Sequence, residues 1–249
     1  DPYSYGEGTD WQDALFNKNA PQQTHQLTIS GTSGKNQYFV SAGYYSQEGI
    51  IGGDYDRSNY KRFTVRVNDR YSIFDNTEDR SWLNRMNLNI NASYSRTFTS
   101  GVETNSEFGS PLGSAVSLSP LLNVYVDPAD EQAVIDMYKY NDAAHATDDN
   151  GELLNPKWSD INLIRDPRNG RLFTVPGSAY QEMVNPLADL TLPGGKNNYD
   201  RLVASAEVEF QIFNGLVLRS SINTDFSVGG SDGWTPNYYL SATRHQGYS

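Results

Sequence analysis

The amino-acid sequence predicts an all-β fold: an antiparallel transmembrane β-barrel segment of about six strands with long external loops. Three observations lead there. Six segments alternate apolar and polar residues with period two, and the polar face is as consistent as the apolar one. The segments run to about nine to eleven residues, the length of a tilted membrane-spanning strand, against about five or six in soluble sheets. The connections alternate in length, so that short turns fall on one rim and long loops on the other.

Along the chain, residues 24–30 place Leu27 and Ile29 opposite Gln26, Thr28 and Ser30. In 37–45, Tyr38, Val40, Ala42 and Tyr44 share a face. In 61–69, Phe63, Val65 and Val67 alternate with Thr64, Arg66 and Asn68. The clearest segment is 86–95, where Met86, Leu88, Ile90, Ala92 and Tyr94 oppose Asn87, Asn89, Asn91, Ser93 and Ser95. Residues 202–212 set Leu202, Ala204, Ala206, Val208, Phe210 and Ile212 against Ser205, Glu207, Glu209 and Gln211. The sixth segment opposes Leu218, Ser220, Ile222, Thr224 and Phe226 to Arg219, Ser221, Asn223 and Asp225.

The short connections are Gly31-Thr32-Ser33-Gly34-Lys35, the polar stretch 75–81, and Asn214-Gly215, a dipeptide suited to a type I′ hairpin. The long ones are 47–58, 97–198 and everything after Ser227. A connection of about a hundred residues is too long to be passive. Within 97–198 a short helix is expected near 128–140, with Asp127 as N-cap, Pro128 at the first helical position, and a Val134, Met137, Tyr138 stripe. The rest of that loop reads as turn-rich, through Asn155-Pro156, Asp166-Pro167, Pro176-Gly177 and Asn185-Pro186. Aromatic rings at Tyr38, Tyr44, Tyr60, Phe63, Tyr94, Phe210 and Phe226 lie on or near strand ends, where they suit a bilayer interface; Tyr and Phe also favour strands in general.

Composition excludes several classes. The 249 residues contain no cysteine, so no disulfide scaffold, thiolate metal site or cysteine nucleophile exists. No stretch approaches the apolar length of a membrane helix. With 17 Tyr, 10 Phe and 4 Trp, the chain is too aromatic for disorder. Nineteen basic against 30 acidic residues give a net charge of −11, which argues against nucleic-acid binding. The chain opens on Asp1-Pro2 and stops at Tyr248-Ser249 without a signal-type or closing element, as expected of a piece of a longer chain. A lone six-stranded sheet would also leave two open edges in lipid.

No catalytic constellation emerges, and no enzyme activity is expected. His25, His145 and His245 are isolated, without zinc-site spacing. Gly31 to Lys35 resembles the end of a P-loop, but Ile29 stands where the first glycine belongs and Asn36 where Ser or Thr should follow. Asp148-Asp149-Asn150-Gly151-Glu152 offers oxygen ligands to calcium but lacks the EF-hand pattern and reads as a solvated turn, so no cofactor or metal is expected. Glu207 and Glu209 fall on the polar face of one strand, as lumen lining rather than an acid/base couple. Asn91-Ala92-Ser93 matches a glycosylation sequon in mid-strand, where it is chance.

Particular residues carry a resemblance. Thr9-Asp10-Trp11-Gln12-Asp13 precedes Leu27-Thr28-Ile29-Ser30-Gly31, followed by 36–44, Gln47-Glu48-Gly49-Ile50 and Arg62-Phe63-Thr64-Val65-Arg66-Val67-Asn68. Ser119-Pro120, Asn185-Pro186-Leu187-Ala188 and 214–219 continue it. This order resembles the barrel of SusC/RagA-type TonB-dependent transporters of Bacteroidetes outer membranes. The resemblance implies a barrel of about 22 strands around an N-terminal plug, of which this chain is the early part. Plug and TonB box are absent from these residues. It also implies uptake of glycans or peptides, a SusD-like lipoprotein lid, and coupling to TonB.

On that reading, loop aromatics Tyr125, Tyr138, Trp158, Tyr180 and Trp234 stack on sugars, pack on the partner, or form small cores of the loops themselves. The polar-face residues Asn87, Asn89, Asn91, Glu207 and Glu209 line the lumen. Two alternatives stand beside it. A soluble all-β carbohydrate-binding module fits the acidic charge and the aromatics. A barrel enzyme would need a Ser/His/Asp-type set at one rim, which the isolated histidines do not supply.

Overall fold

The computed structural model describes residues 8–76, 82–107, 110–140, 149–151, 162–181, 183–192, 194–233, 238–239 and 245–246; at 138–140, 162, 178, 238–239 and 245–246 this is the backbone alone. Six long strands form one antiparallel sheet. They are β1 (Gln22–Ser33), β2 (Asn36–Glu48), β3 (Asn59–Asp75), β4 (Arg85–Ser100), β6 (Lys196–Phe213) and β7 (Leu216–Asp232), neighbours in that order. Helix α1 (Trp11–Leu15) precedes β1. Between β4 and β6 lie α2 (Pro111–Ser117), α3 (Glu131–Tyr140), the two-residue strand β5 (Asn162–Leu163), a 3₁₀ turn at Ser178–Tyr180, and α4 (Pro186–Thr191). Strand β5 pairs with β8 (Tyr238–Tyr239), which pairs with β9 (His245–Gln246).

The six alternating segments all become strands, and their registers bring the six apolar faces onto one side. Leu27, Ala42, Val65, Tyr94, Leu202 and Phe226 form one continuous row across the sheet. On the other side a parallel row runs Ser30, Phe39, Asn68, Asn91, Ser205 and Asn223. A slip of one residue at any pairing would have sent that strand's apolar set to the opposite face. The strands are longer than their apolar segments, 16 to 18 residues for β3, β4, β6 and β7. Pairing continues beyond the alternating part because polar ends such as Asn59 to Lys61 and Thr97 to Ser100 still complete the ladder.

Gly34-Lys35 joins β1 to β2, with Gly34 at φ +57, so the hairpin turn is tighter than the five-residue stretch from Gly31. Gly31 instead lies in β1, where the Tyr38 ring crosses it: a Cβ there would meet the phenol oxygen at 2.7 Å. The expected type I′ turn at Asn214-Gly215 is not formed. Gly215 takes φ +89 but Asn214 does not adopt positive φ, and a register shift between Gln211 and Phe213 accommodates the strand twist instead.

The strand ends joined by short connections sit on one rim, and the described parts of 8–21, 49–58 and 101–195 converge on the other. There lies the hydrophobic core: Trp11 and Leu15 of α1, Ala115 and Leu118, Ile164, Phe173, Val184, and Leu187, Ala188, Leu190 and Leu192. No strand of the six-stranded sheet contributes to it. The apolar face of the sheet stays open, with Leu27 64% and Ile222 74% exposed.

Two expectations for the long connection shift. The helix near 128–140 begins at Glu131, because Asp127 closes a separate turn by accepting from the Ala129 N–H at 2.9 Å. Asn185-Pro186 is no simple turn: Asn185 caps α4, accepting from Leu187 and Ala188 N–H, with Pro186 at the first helical position. Ser110-Pro111 starts α2 in the same way.

Candidate functional site

The loop-rim cap is assembled from three chain segments by backbone groups first. Asn17 bridges to the 49–58 loop, its Nδ2 donating to Gly49 O at 2.6 Å and its Oδ1 accepting from Asp54 N–H at 2.7 Å. The Leu15 carbonyl accepts from both Gly52 and Gly53. The Trp11 indole donates to Ser119 O at 3.0 Å, anchoring α1 to the segment after α2. Gly53 takes φ +55 directly beneath Leu187, where a Cβ would lie 2.7 Å from the Leu187 Cδ2.

At the centre of the junction sits Asp166, whose side chain has no solvent exposure. Its turn, Asp166-Pro167-Arg168-Asn169-Gly170, closes when the Asp166 carbonyl accepts from Gly170 N–H at 2.8 Å, with Gly170 at φ +75. The carboxylate accepts from the Arg168 N–H at 2.8 Å, the Arg168 guanidinium at 2.9 to 3.3 Å, the Tyr125 hydroxyl at 2.6 Å and the Tyr55 hydroxyl at 2.9 Å. Arg168 also donates to Gly53 O at 3.1 Å and lies 3.9 Å over the Tyr55 ring. Arg171 lies 4.4 Å over the Tyr125 ring, which stacks on Phe173.

Burial alone would raise the Asp166 pKa, but the Arg168, Tyr125 and Tyr55 donors outweigh it and hold the carboxyl well below the usual carboxylate range. The hydrogen bond from Arg168 to Asp166 holds that guanidinium above its ordinary value despite partial burial. Burial and donation to Asp166 push the Tyr55 hydroxyl far up. Both carboxylate oxygens are occupied by donors, so the cluster has no open valence for acid–base chemistry. It is a joint between the 49–58 loop and the long connection.

On the polar face of the sheet, the sequence-predicted residues come together as a ladder. Asn87 is 2% exposed and donates to Glu209 Oε1 at 3.3 Å, while Arg219 donates to Glu209 Oε2 at 2.8 Å. Asn89 donates to Glu207 at 3.1 Å, and Asn91 lies on the same face one step further along β4, opposite Ser205.

The predicted loop aromatics are placed unevenly. Tyr125 belongs to the Asp166 joint, and Tyr180 packs partly buried against the cap core. Tyr138 lies in the last turn of α3, but its side chain lies outside the described residues, as do Trp158 and Trp234. Residues 148 and 152 of the calcium-like turn also lie outside, and among the described residues no group of acids and histidines is arranged to hold a metal. The sequence marks Asp166 only as part of the Asp166-Pro167 turn, and carries no signal for Tyr55 or Arg168 as its partners. The Asp-Pro-Arg-Asn-Gly turn was the only local signal, and its partner Tyr55 lies 111 residues away.

No protein-family model matches the chain. It is 27% identical over 224 residues to the TonB-dependent receptor SusC of Bacteroides thetaiotaomicron, covering 89% of this chain and 18% of that receptor. It is 30% identical over 122 residues to the TonB-dependent receptor P3 of Formosa agariphila, covering 47% of this chain and 11% of the receptor. A solved structure of the RagAB peptide importer in its closed-closed state superimposes with a TM-score of 0.52 at 18% identity, over 91% of this chain and 20% of that chain. A second RagAB peptide transporter structure gives 0.52 and 18%, over 90% and 19%. The chain therefore spans a fifth or less of each of these four matched chains.

Proposed function

We propose that this SusC/RagA-like chain, matching one stretch of a TonB-dependent receptor, forms six adjacent strands of the wall and part of the external cap of an outer-membrane importer. One observation carries the reading. Six apolar faces align in register on one side of the sheet, nothing among the described residues packs on them, and the core sits in the cap. A soluble sandwich or binding module would bury that face in its core; lipid covers it at no cost in a barrel. The open edges of β1 and β7 then pair with further strands of the longer receptor.

The polar face, with Asn87, Asn89, Asn91, Glu207 and Glu209, lines the interior. The cap faces outward, where it meets a SusD-like lipoprotein and the incoming ligand, a peptide or an oligosaccharide. The named RagAB neighbours are peptide importers, which supports the peptide arm. TonB supplies the energy through another part of the receptor. The residues described here position and pass a solute and perform no catalysis.

The test is extraction of the native polypeptide that carries this sequence. Resistance to carbonate washing, with a surface lipoprotein co-purifying in mild detergent, is expected. Release into buffer without detergent would contradict the membrane reading. Insertion without a lipoprotein would remove the partner alone.

A further inference from the structure

The polar face of β3 carries Arg62, Arg66 and Arg70 at a spacing of four residues, so all three point to the same side. In a chain of net charge −11, their surroundings are notable for missing acids. The cross-strand neighbours of Arg62 are Tyr45 and Thr97, and those of Arg66 are Ser41 and Ser93. On the same face of β1, β2 and β4 no Asp or Glu occurs.

The three arginines divide into two regimes. Arg70 lies toward the short-turn rim, in one cross-strand row with Asn89 and Glu207. Arg62 and Arg66 lie toward the cap and have no carboxylate within ion-pair distance among the described residues. Arg201, further round the same face, is already taken by Asp225 at 2.6 Å. Arg62 donates to Thr64 Oγ1 at 3.2 Å and borders a hollow of about 360 Å³. Tyr45 and Tyr60 also line that hollow, edge to face with ring centroids 5.7 Å apart. Between the two arginines lies Thr64, flanked by Gly43 and Ser95, both without bulk, whereas the Ser41 hydroxyl beside Arg66 is buried and held by Gln26 and Thr28.

We propose that Arg62 and Arg66 form an anion track on the inner wall just below the cap, which binds an extended ligand carrying carboxylates. Successive carboxylates of that ligand sit roughly 13 Å apart, four strand residues, and its flat or apolar parts rest on Tyr45 and Tyr60. The guanidinium fork is matched to a carboxylate, and Arg62 and Arg66 are both exposed on this face, within reach of an anion that brings its own charge. Carboxylates of this kind occur in acidic peptides and in uronic-acid oligosaccharides. The proposal rests on the reading of the polar face as the interior of an importer, and narrows its ligand.

The test uses the full-length receptor in detergent, with two fluorescent anionic probes, heptaglutamate and oligogalacturonate, and a neutral one, maltoheptaose. At least one anionic probe binds, more weakly as salt rises, and Arg62→Gln or Arg66→Gln each weakens it about tenfold. Which anionic probe binds separates peptide from sugar. Arg201→Gln leaves the affinity near the parent value. Arg62→Lys and Arg66→Lys each keep part of it, which separates lost charge from misfolding. Binding of neither anionic probe, equal binding of the neutral one, or indifference to both Arg→Gln variants overturns the track. A receptor that washes from the membrane overturns the importer reading instead.

Discussion

The Tyr55 hydroxyl donates to the Asp166 carboxylate across 2.9 Å and 111 residues of chain, so that one buried charge ties the 49–58 loop to the long connection between β4 and β6. The same carboxylate holds Arg168 and Tyr125, and Arg168 returns to Gly53. Among the described residues, three segments of the cap thus meet at one fully buried carboxylate.

Removing that centre should loosen the cap and leave the sheet. Asp166→Asn strands Arg168 against Tyr55 and is expected to cost about 3 kcal/mol of local stability. Tyr55→Phe, which removes one donor, should cost about 1.5 kcal/mol. Hydrogen exchange on the full receptor reads both: amides of 49–58 and 164–174 exchange faster while those of β3 and β4 do not. Unchanged protection in the cap would show that its apolar core alone suffices.

Acid should reproduce the effect. The Asp166 pKa is depressed in the folded cap, so its contribution is fully present above the unfolded carboxylate value of about 4. It is lost progressively as pH falls from there through the lower folded value. Cap protection should hold between pH 8 and pH 5, roughly, and decline below about pH 4, and the decline should be smaller in Asp166→Asn.

Gly53 offers an independent check on the same packing. With φ +55 and Leu187 against it, Gly53→Ala should destabilise the cap by about 1–2 kcal/mol, through the left-handed backbone and the contact together. Limited proteolysis within 49–58 would report it.

The sheet gives an asymmetric prediction. Ile222 lies on the apolar face and Asn223 on the polar one. Ile222→Lys should cost about 2–4 kcal/mol of stability in lipid, and Asn223→Lys little. Urea unfolding in lipid vesicles measures both; equal costs would mean that the two faces see the same solvent.

The sheet was legible in the sequence because each strand states its own parity: in Met86 to Ser95 every second residue is apolar, and the register then follows from keeping such sets together. Strand ends were less legible, since polar ladders such as Lys196 to Asp200 pair without any alternation to announce them. The cap was least legible. Asn185-Pro186 and Ser110-Pro111 use residues that serve turns and helix starts alike, and only burial of Leu187 and Ala115 selects the helix. Trp11 and Leu15, ahead of the first strand, became core residues through contacts with loops far along the chain. Asp166 gathers its partners in the same nonlocal way.

The central claim, that the aligned apolar face meets lipid and the polar face meets water, is tested most directly by cysteine scanning. The 249 residues contain no native cysteine. In the full-length receptor, freed of any other cysteine and embedded in vesicles, single cysteines are placed in turn from Phe63 to Asp69 and from Ala204 to Gln211. Spin labels at Val65, Val67, Ala206 and Val208 should be relaxed by lipid-dissolved oxygen, and those at Arg66, Asn68, Ser205 and Glu207 by a water-soluble nickel chelate. An alternation of period two is the predicted result; equal access of the chelate to both faces would contradict the account.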